Sequence, residues 1–192
     1  KYAQKVLQGH AQEGMYEALS LETTLELKNR VGSYARFKKR KHVRYLQNNT
    51  IAFQDYAWGD GKILLNYRSS IGKAVDQYRL GYKTYVLLSL RDVKNRGEED
   101  IYEITWDMKD GFLAETCFWE TDISQRTQQL TMSVIFPKSR LPIKASVLDE
   151  KQRKTHTIPR EEFNVLPDGR VRVSWNKAKP RLFEHYLLKW TW

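Results

Sequence analysis

Short segments that alternate apolar and polar residues, separated by turn residues, cover most of this 192-residue chain. The turn signals recur about every 8–12 residues, as is typical of an antiparallel sandwich or barrel. Examples are Asn48 with Asn49, and the glycine in Pro167-Asp168-Gly169. We therefore predict an all-β fold, mainly an antiparallel β-sandwich of immunoglobulin-like or jelly-roll-like type.

Three segments depart from simple alternation. Residues 2–16 carry apolar side chains at roughly helical spacing, which predicts one short N-terminal helix, although Gly9 and Gly14 weaken it. Residues 82–90 are continuously apolar and predict a strand buried on both faces. Residues 72–79 fit either a short helical turn or a loop.

The pattern becomes clearer after Gly81, and we place a soft domain boundary there. Residues 1–81 would form the helix and a basic β-meander, and residues 82–192 an antiparallel β-sandwich; one continuous domain is the alternative. No apolar run approaches the roughly 18 residues of a membrane-spanning helix, so none is predicted. Because the chain begins at Lys1 and not at Met, we expect an upstream domain or partner protein.

One predicted strand carries most of the net charge. The chain has a formal net charge of +10, and no acidic residue occurs between Leu27 and Gln54. Eight cations lie in that interval, which leaves +2 (10 − 8) for the rest of the chain. If residues 35–46 form a strand, alternation places five consecutive basic or imidazole groups on one face. They are Arg36, Lys38, Arg40, His42 and Arg44.

This basic strand has two interpretations. Charged residues on a solvated strand face are common, and acids from elsewhere in the fold would neutralise them. A row of like charges is repulsive, however, and an anionic ligand would relieve the repulsion. We favour an anion-binding surface, with Lys39 and Lys41 at the strand edge and Arg30 extending the patch. The predicted binding residues are Arg30, Arg36, Lys38, Lys39, Arg40, Lys41, His42 and Arg44.

Nucleic acid is the first choice of anionic partner, because Lys and Arg neutralise phosphates and release counterions. Tyr34, Phe37 and Tyr45 interleave the charges, and exposed rings beside cations can stack on single-stranded bases. Alternation also predicts that Phe37, Val43 and Tyr45 are buried, which weakens that argument. The alternative is a protein-interaction or sensory domain of a larger protein, whose basic face meets an acidic protein surface.

Residues that could carry catalysis are scattered. The four histidines are far apart, and none has a zinc-binding spacing. The single cysteine, Cys117, lies in an apolar segment and is predicted to be a buried structural residue in a reducing compartment. Trp58 precedes Gly59-Asp60-Gly61, which is either a packed corner or the lip of a ligand pocket; we favour the corner. We therefore predict a non-catalytic, cytoplasmic binding module without cofactor or metal.

Overall fold

The computed structural model describes residues 14–192 and folds them almost entirely into strands. The all-β prediction is confirmed. The helix predicted over residues 2–16 falls largely outside the described residues, and its last residue, Tyr16, begins a strand. The strands are β1 (Tyr16–Leu27), β2 (Tyr34–Tyr45), β3 (Thr50–Ala57), β4 (Lys62–Ser69), β5 (Gly72–Leu80), β6 (Lys83–Lys94), β7 (Glu99–Lys109), β8 (Thr116–Asp122), β9 (Gln129–Phe136), β10 (Lys144–Asp149), β11 (Lys154–Ile158), β12 (Asn164–Val165), β13 (Val171–Ala178) and β14 (His185–Thr191).

These strands form three sheets. A seven-stranded sheet has the order β12-β13-β9-β1-β2-β7-β4, and within it only β1 and β9 run parallel. A four-stranded antiparallel sheet has the order β11-β10-β14-β8, and a three-stranded antiparallel sheet the order β3-β6-β5. Strands from both sides of Gly81 pair within the seven-stranded and three-stranded sheets.

Both smaller sheets pack on one face of the seven-stranded sheet. On β2, Phe37 lies with its ring centroid 4.7 Å from that of Trp119 on β8, which joins the four-stranded sheet to the seven-stranded one. The three-stranded sheet packs through Phe53, whose ring lies 5.3 Å from Tyr102 and 5.9 Å from Tyr16. Burial of these aromatic faces supplies the main driving force for the arrangement. The opposite face of the seven-stranded sheet is left to solvent in its central part.

The alternation along β2 follows from this layering. Phe37, Val43 and Tyr45 are at most 3% exposed, which confirms their predicted burial, and the even positions face outward. The C-terminal strand β14 behaves in the same way, with Tyr186, Leu188 and Trp190 buried. In both strands, period two places one set of side chains between the sheets.

The three-stranded sheet differs from the prediction. Residues 72–79 belong to strand β5, neither a helical turn nor a loop. Strand β6 is not buried on both faces: Val86, Leu88 and Leu90 are buried, but the residues between them are partly exposed. The apolar run was misleading because one face of β6 has no further layer of residues 14–192 above it.

Among the described residues, no helix is long and apolar enough to cross a membrane.

Candidate functional site

The outer face of β2 carries the five predicted cations, and each lies beside an acid from a neighbouring strand. The register places Arg36 opposite Asp107, Arg40 between Glu22 and Glu103, and Arg44 between Glu17 and Glu99. The shortest nitrogen–oxygen distances are Arg36–Asp107 2.8 Å, Lys38–Glu103 2.6 Å, Arg40–Glu22 3.3 Å, His42–Glu99 2.7 Å and Arg44–Glu99 2.8 Å. The row therefore alternates in sign across the sheet.

The acids respond to these neighbours. Hydrogen bonds from Arg36, Asn66 and Tyr34 hold the pKa of Asp107 down to about 2, against the cost of burying it. Hydrogen bonds from Arg44 and His42 lower the pKa of Glu99. Both carboxylates are thus fixed as anions, which reduces the positive potential that a phosphate would meet on this face.

Arg30 lies outside the row, in the turn between β1 and β2. Its side chain is exposed, and its carbonyl oxygen accepts a hydrogen bond from Arg140 Nη1 at 3.2 Å. The neighbouring Lys28 pairs with Glu26 at 2.7 Å. The predicted patch therefore does not continue as one surface from β2 into the turn between β1 and β2.

Lys39 and Lys41 were predicted at the strand edge, and that prediction is wrong. They occupy odd positions of β2 and face the smaller sheets. The Lys39 side chain is 12% exposed and forms an ion pair with Asp55, which also accepts a hydrogen bond from Tyr67. Lys41 is 8% exposed and donates to Gln125 Oε1 at 3.2 Å.

The positive charge of Lys41 is less well neutralised than that of Lys39. Within residues 14–192, no carboxylate oxygen lies within 4.0 Å of its Nζ; a contact at 3.5 Å joins it to the Tyr16 hydroxyl. Burial lowers the pKa of Lys41, an effect that more distant Asp55 and Asp122 oppose. A buried amine held by neutral partners is costly, since desolvation disfavours its charged form.

The inner lysines line a small cavity between the sheets. Its volume is about 50 Å³, and its walls include Tyr56, Trp119 and Asp122. Trp58 also lines it, and Gly61 closes the adjoining turn with a φ of 72° and a Cβ position only 2.1 Å from the Lys109 carbonyl oxygen. The Trp58 segment is thus a tight corner and a pocket wall together. The cavity has room for a few water molecules, far below the size of a typical ligand pocket.

An aromatic row crosses the three-stranded sheet next to this cavity. Tyr78 stacks on Tyr85 at 5.4 Å between ring centroids, and Tyr85 lies 5.7 Å from Tyr56. Tyr56 stacks on Trp58 at 5.9 Å, and Trp58 meets Tyr82 edge-on at 6.4 Å. The paired register of β3, β6 and β5 puts Tyr56, Tyr85 and Tyr78 on one face.

Lys83 lies over one end of the row. Its Nζ is 4.3 Å from the centroid of Tyr56, 4.6 Å from Trp58 and 5.8 Å from Tyr82, and it pairs with Asp122. Sequence reasoning missed this cluster, because Tyr56, Lys83 and Asp122 come from β3, β6 and β8, and Trp58 and Tyr82 from the segments that follow β3 and β5. The Tyr82-Lys83 dipeptide after Gly81 was the available signal.

Few groups with catalytic or metal-binding potential meet in the described part of the chain. Glu120, Glu150 and His185 each offer a ligand atom within 4.8 Å of the others, and their wide sequence spacing hid this. His185 Nδ1 lies 3.0 Å from Glu120 Oε1, and that hydrogen bond raises the pKa of His185. Cys117 is buried as predicted, and burial raises the pKa of its thiol, which disfavours the reactive thiolate.

No protein-family model matches this chain, and no curated protein matches it. Solved structures resemble it in fold. A candidate protease from Parabacteroides distasonis gives a TM-score of 0.54 at 8% identity, over 93% of this chain and 40% of its own. A variant of an M1 zinc metallopeptidase from Deinococcus radiodurans, bound to a Tyr-Ser-Ala substrate, gives 0.50 at 10% identity, over 91% and 42%. This chain spans about two-fifths of each protein, and at such identity the likeness concerns the fold alone.

Proposed function

We propose that this chain is a non-catalytic protein-binding module whose contact surface is the exposed strand β5. The observation that carries the proposal is that almost no part of this strand is buried. Every residue from Lys73 to Leu80 is exposed, and Val75, Tyr78 and Leu80 are among them, at 55%, 39% and 52%. A strand that buries almost nothing against its own domain, yet carries these side chains, is typical of a surface covered by a partner.

The partner would dock on the face of β5 rather than extend its edge. The register shifts at Val75, between Ala74 and Asp76, which marks a β-bulge. Bulges and charged residues on edge strands oppose edge-to-edge pairing. The face retains Tyr78 and Leu80, and tyrosine is enriched among interface hot spots. We define Val75, Tyr78 and Leu80 as the β5 patch.

The fold comparison is compatible with this proposal. In the similar solved structures this fold accounts for about two-fifths of the chain, so a domain of this shape can be one part of a longer protein. A patch that another part of the same polypeptide covers would serve equally well as an intramolecular contact.

The test places a photo-crosslinking amino acid at Tyr78 in cells that produce the full protein. We expect a crosslink to one defined partner or to another part of the same polypeptide. It should disappear when Val75 and Leu80 are both changed to Asp. Because these side chains are exposed, the variant should unfold at the wild-type temperature.

A matched control is Val165→Asp, which alters an equally exposed apolar residue on β12, 68% exposed, at the far edge of the seven-stranded sheet. It should leave the crosslink intact. If Tyr78 gives no crosslink, or if the crosslink survives the Val75 and Leu80 substitutions, the β5 patch is not an interface.

Nucleic-acid binding through β2 is the second candidate. It is favoured by one observation: Arg36, Lys38, Arg40 and Arg44 still stand 43–48% exposed in one row. The paired acids should make the affinity low and strongly salt-dependent. The test is a titration with single-stranded and duplex DNA and RNA, comparing wild type with an Arg40→Gln, Arg44→Gln variant. Arg36 is left unchanged because it neutralises the buried carboxylate of Asp107. Binding that is absent at physiological salt, or unchanged in the variant, rejects this candidate.

A further inference from the structure

We propose that Tyr56, Trp58 and Tyr82 form an aromatic cage for an alkylammonium group, and that Lys83 occupies the cage when no ligand is bound. We call these three rings, with Asp122, the cage. The ligand would be an organic cation: the amine of a lysine side chain or peptide N-terminus, or a quaternary ammonium such as choline. The proposal concerns a different set of residues from the β5 patch.

The geometry around Lys83 carries this inference. Three rings approach one ammonium nitrogen, with centroids at 4.3, 4.6 and 5.8 Å, and a carboxylate pairs with it. A cation within about 6 Å of an aromatic face is attracted by the ring quadrupole, and cages of several rings are the known way in which proteins recognise ammonium groups. Lys83 thus shows that this site is complementary to an ammonium ion.

Hydrogen bonds hold the cage in place. The Tyr56 hydroxyl donates to Asp122 Oδ1 at 2.8 Å, so its ring and its carboxylate are oriented together. Trp58 Nε1 donates to Glu120 Oε2 at 3.2 Å, and His185 contacts the other oxygen of the same carboxylate. The Tyr56 hydroxyl and the Trp58 indole N–H are therefore each held by a carboxylate, and the faces of both rings lie towards the cation. Such preorganisation lowers the cost of binding.

The cage can be reached from solvent. Tyr82 is 55% exposed and follows Gly81 in the turn between β5 and β6. A Cβ placed on Gly81 would meet no atom within 4 Å, so this point of the turn is surrounded by open space. The Lys83 side chain is long and 15% exposed, so its ammonium would leave the cage by rotation about its own side-chain bonds. A competing cation could therefore exchange with it without a change of fold.

Because Lys83 is part of the same chain as the cage, it competes with any free ligand and sets the affinity that we expect for an external cation. An internal group competes at an effective concentration in the millimolar range, so a small free ammonium ion should bind wild type only weakly. Removing Lys83 should tighten apparent binding by about tenfold or more, because the binding-competent fraction of the protein then rises. A permanent structural lysine would instead never yield to a ligand.

The experiment is an NMR titration that follows the indole N–H of Trp58, identified by its loss in Trp58→Phe. The probes are n-butylammonium chloride and tetramethylammonium chloride, with sodium chloride as the ionic-strength control. We expect a saturable shift in wild type with at least one organic cation and not with sodium. Apparent affinity should rise about tenfold in Lys83→Ala, since the internal competitor is gone.

Two further variants separate the cage from general electrostatics. Tyr82→Ala removes an exposed ring of the cage and should abolish the shift, while Phe118→Ala, which removes an equally exposed ring outside the cage, should retain it. Preference for butylammonium indicates a primary amine as the natural ligand, and preference for tetramethylammonium indicates a quaternary one. No saturable shift in wild type, or a shift that survives Tyr82→Ala, overturns the proposal. Because Val75, Tyr78 and Leu80 are unchanged, either result leaves the β5 crosslinking test intact.

Discussion

The two faces of strand β2 carry the same kind of charge in opposite environments. On the outer face, Arg40 is 47% exposed and meets Glu22, which is 44% exposed, at 3.3 Å. On the inner face, Lys39 is 12% exposed and pairs with Asp55, which is only 4% exposed. A count of cations along a strand therefore does not measure a binding surface, because alternation sends two of the six lysines and arginines of β2 inward.

The ion pairs on the two faces of β2 therefore contribute differently to the free energy of unfolding. An exposed pair exchanges one well-solvated arrangement for another and contributes little. A buried pair has lost its water, so removal of one partner leaves the other charged and unsolvated. Lys41 is a third case, a buried cation that neutral oxygens hold. Substitutions along one strand can therefore separate three environments.

The largest expected effect is that of Lys39→Met. The change leaves the Asp55 carboxylate buried with the Tyr67 hydroxyl at 3.0 Å as its remaining hydrogen bond. Breaking a buried pair from one side costs about 3–5 kcal/mol of unfolding free energy. Urea unfolding of wild type and variant measures this difference.

The control for that experiment is the double variant Lys39→Met, Asp55→Asn, which removes both charges. It should recover most of the lost stability, since an amide can accept the Tyr67 hydrogen bond. A loss below about 1 kcal/mol in the single variant would show that water reaches Asp55, and the distinction between the two faces of β2 would then fail.

An intermediate effect of opposite sign is expected for Lys41→Met. No buried anion of residues 14–192 loses its direct partner, and the desolvation penalty of the ammonium disappears. Replacement of a poorly compensated buried charge by an apolar side chain of similar length should leave stability unchanged or raise it by about 1 kcal/mol. Loss of the Gln125 hydrogen bond limits the gain. A destabilisation of several kcal/mol would contradict this assignment.

The same variant tests the direction of the Lys41 pKa. Its folded-state pKa lies below the ordinary 10.5, so unfolding takes up a proton between those two values. Wild-type stability should therefore rise with pH across that interval, as the unfolded state binds more protons. Lys41→Met should lack this rise. Parallel pH profiles for the two proteins would show that Lys41 is not desolvated.

The sequence predicted the parts of the fold that depend on local pattern. Alternation on β2 correctly placed Phe37, Val43 and Tyr45 in the core, and turn residues delimited many strands. It did not predict the long-range pairings, such as that of β2 with β7. The neutralising acids Glu99, Glu103 and Asp107 arrive through that pairing. The charge of a face is thus a long-range property.

The cage and the exposure of β5 could not be predicted from local sequence patterns, for a related reason. Tyr56, Lys83 and Asp122 are brought together by three strands of two sheets. The exposure of β5 depends on what fails to cover it, which no pattern in its own residues reveals. Its composition, with Lys73, Asp76 and Arg79 between apolar residues, fitted the helical turn or loop that we predicted and did not indicate a strand.

The smallest effect belongs to Arg40→Ala, which removes an exposed partner of Glu22. The pair is long at 3.3 Å and about half exposed on both sides, so its loss should change the unfolding free energy by about 0.5 kcal/mol or less. Screening at about 1 M salt should remove even that difference, while the effect of Lys39→Met should persist because the Debye length matters little for a buried pair. Both variants would be unfolded in urea at low and high salt.

If Arg40→Ala proved as costly as Lys39→Met, the outer row would be a cooperative network. Its charges would then stabilise the seven-stranded sheet itself, and their exposure would no longer argue for a ligand.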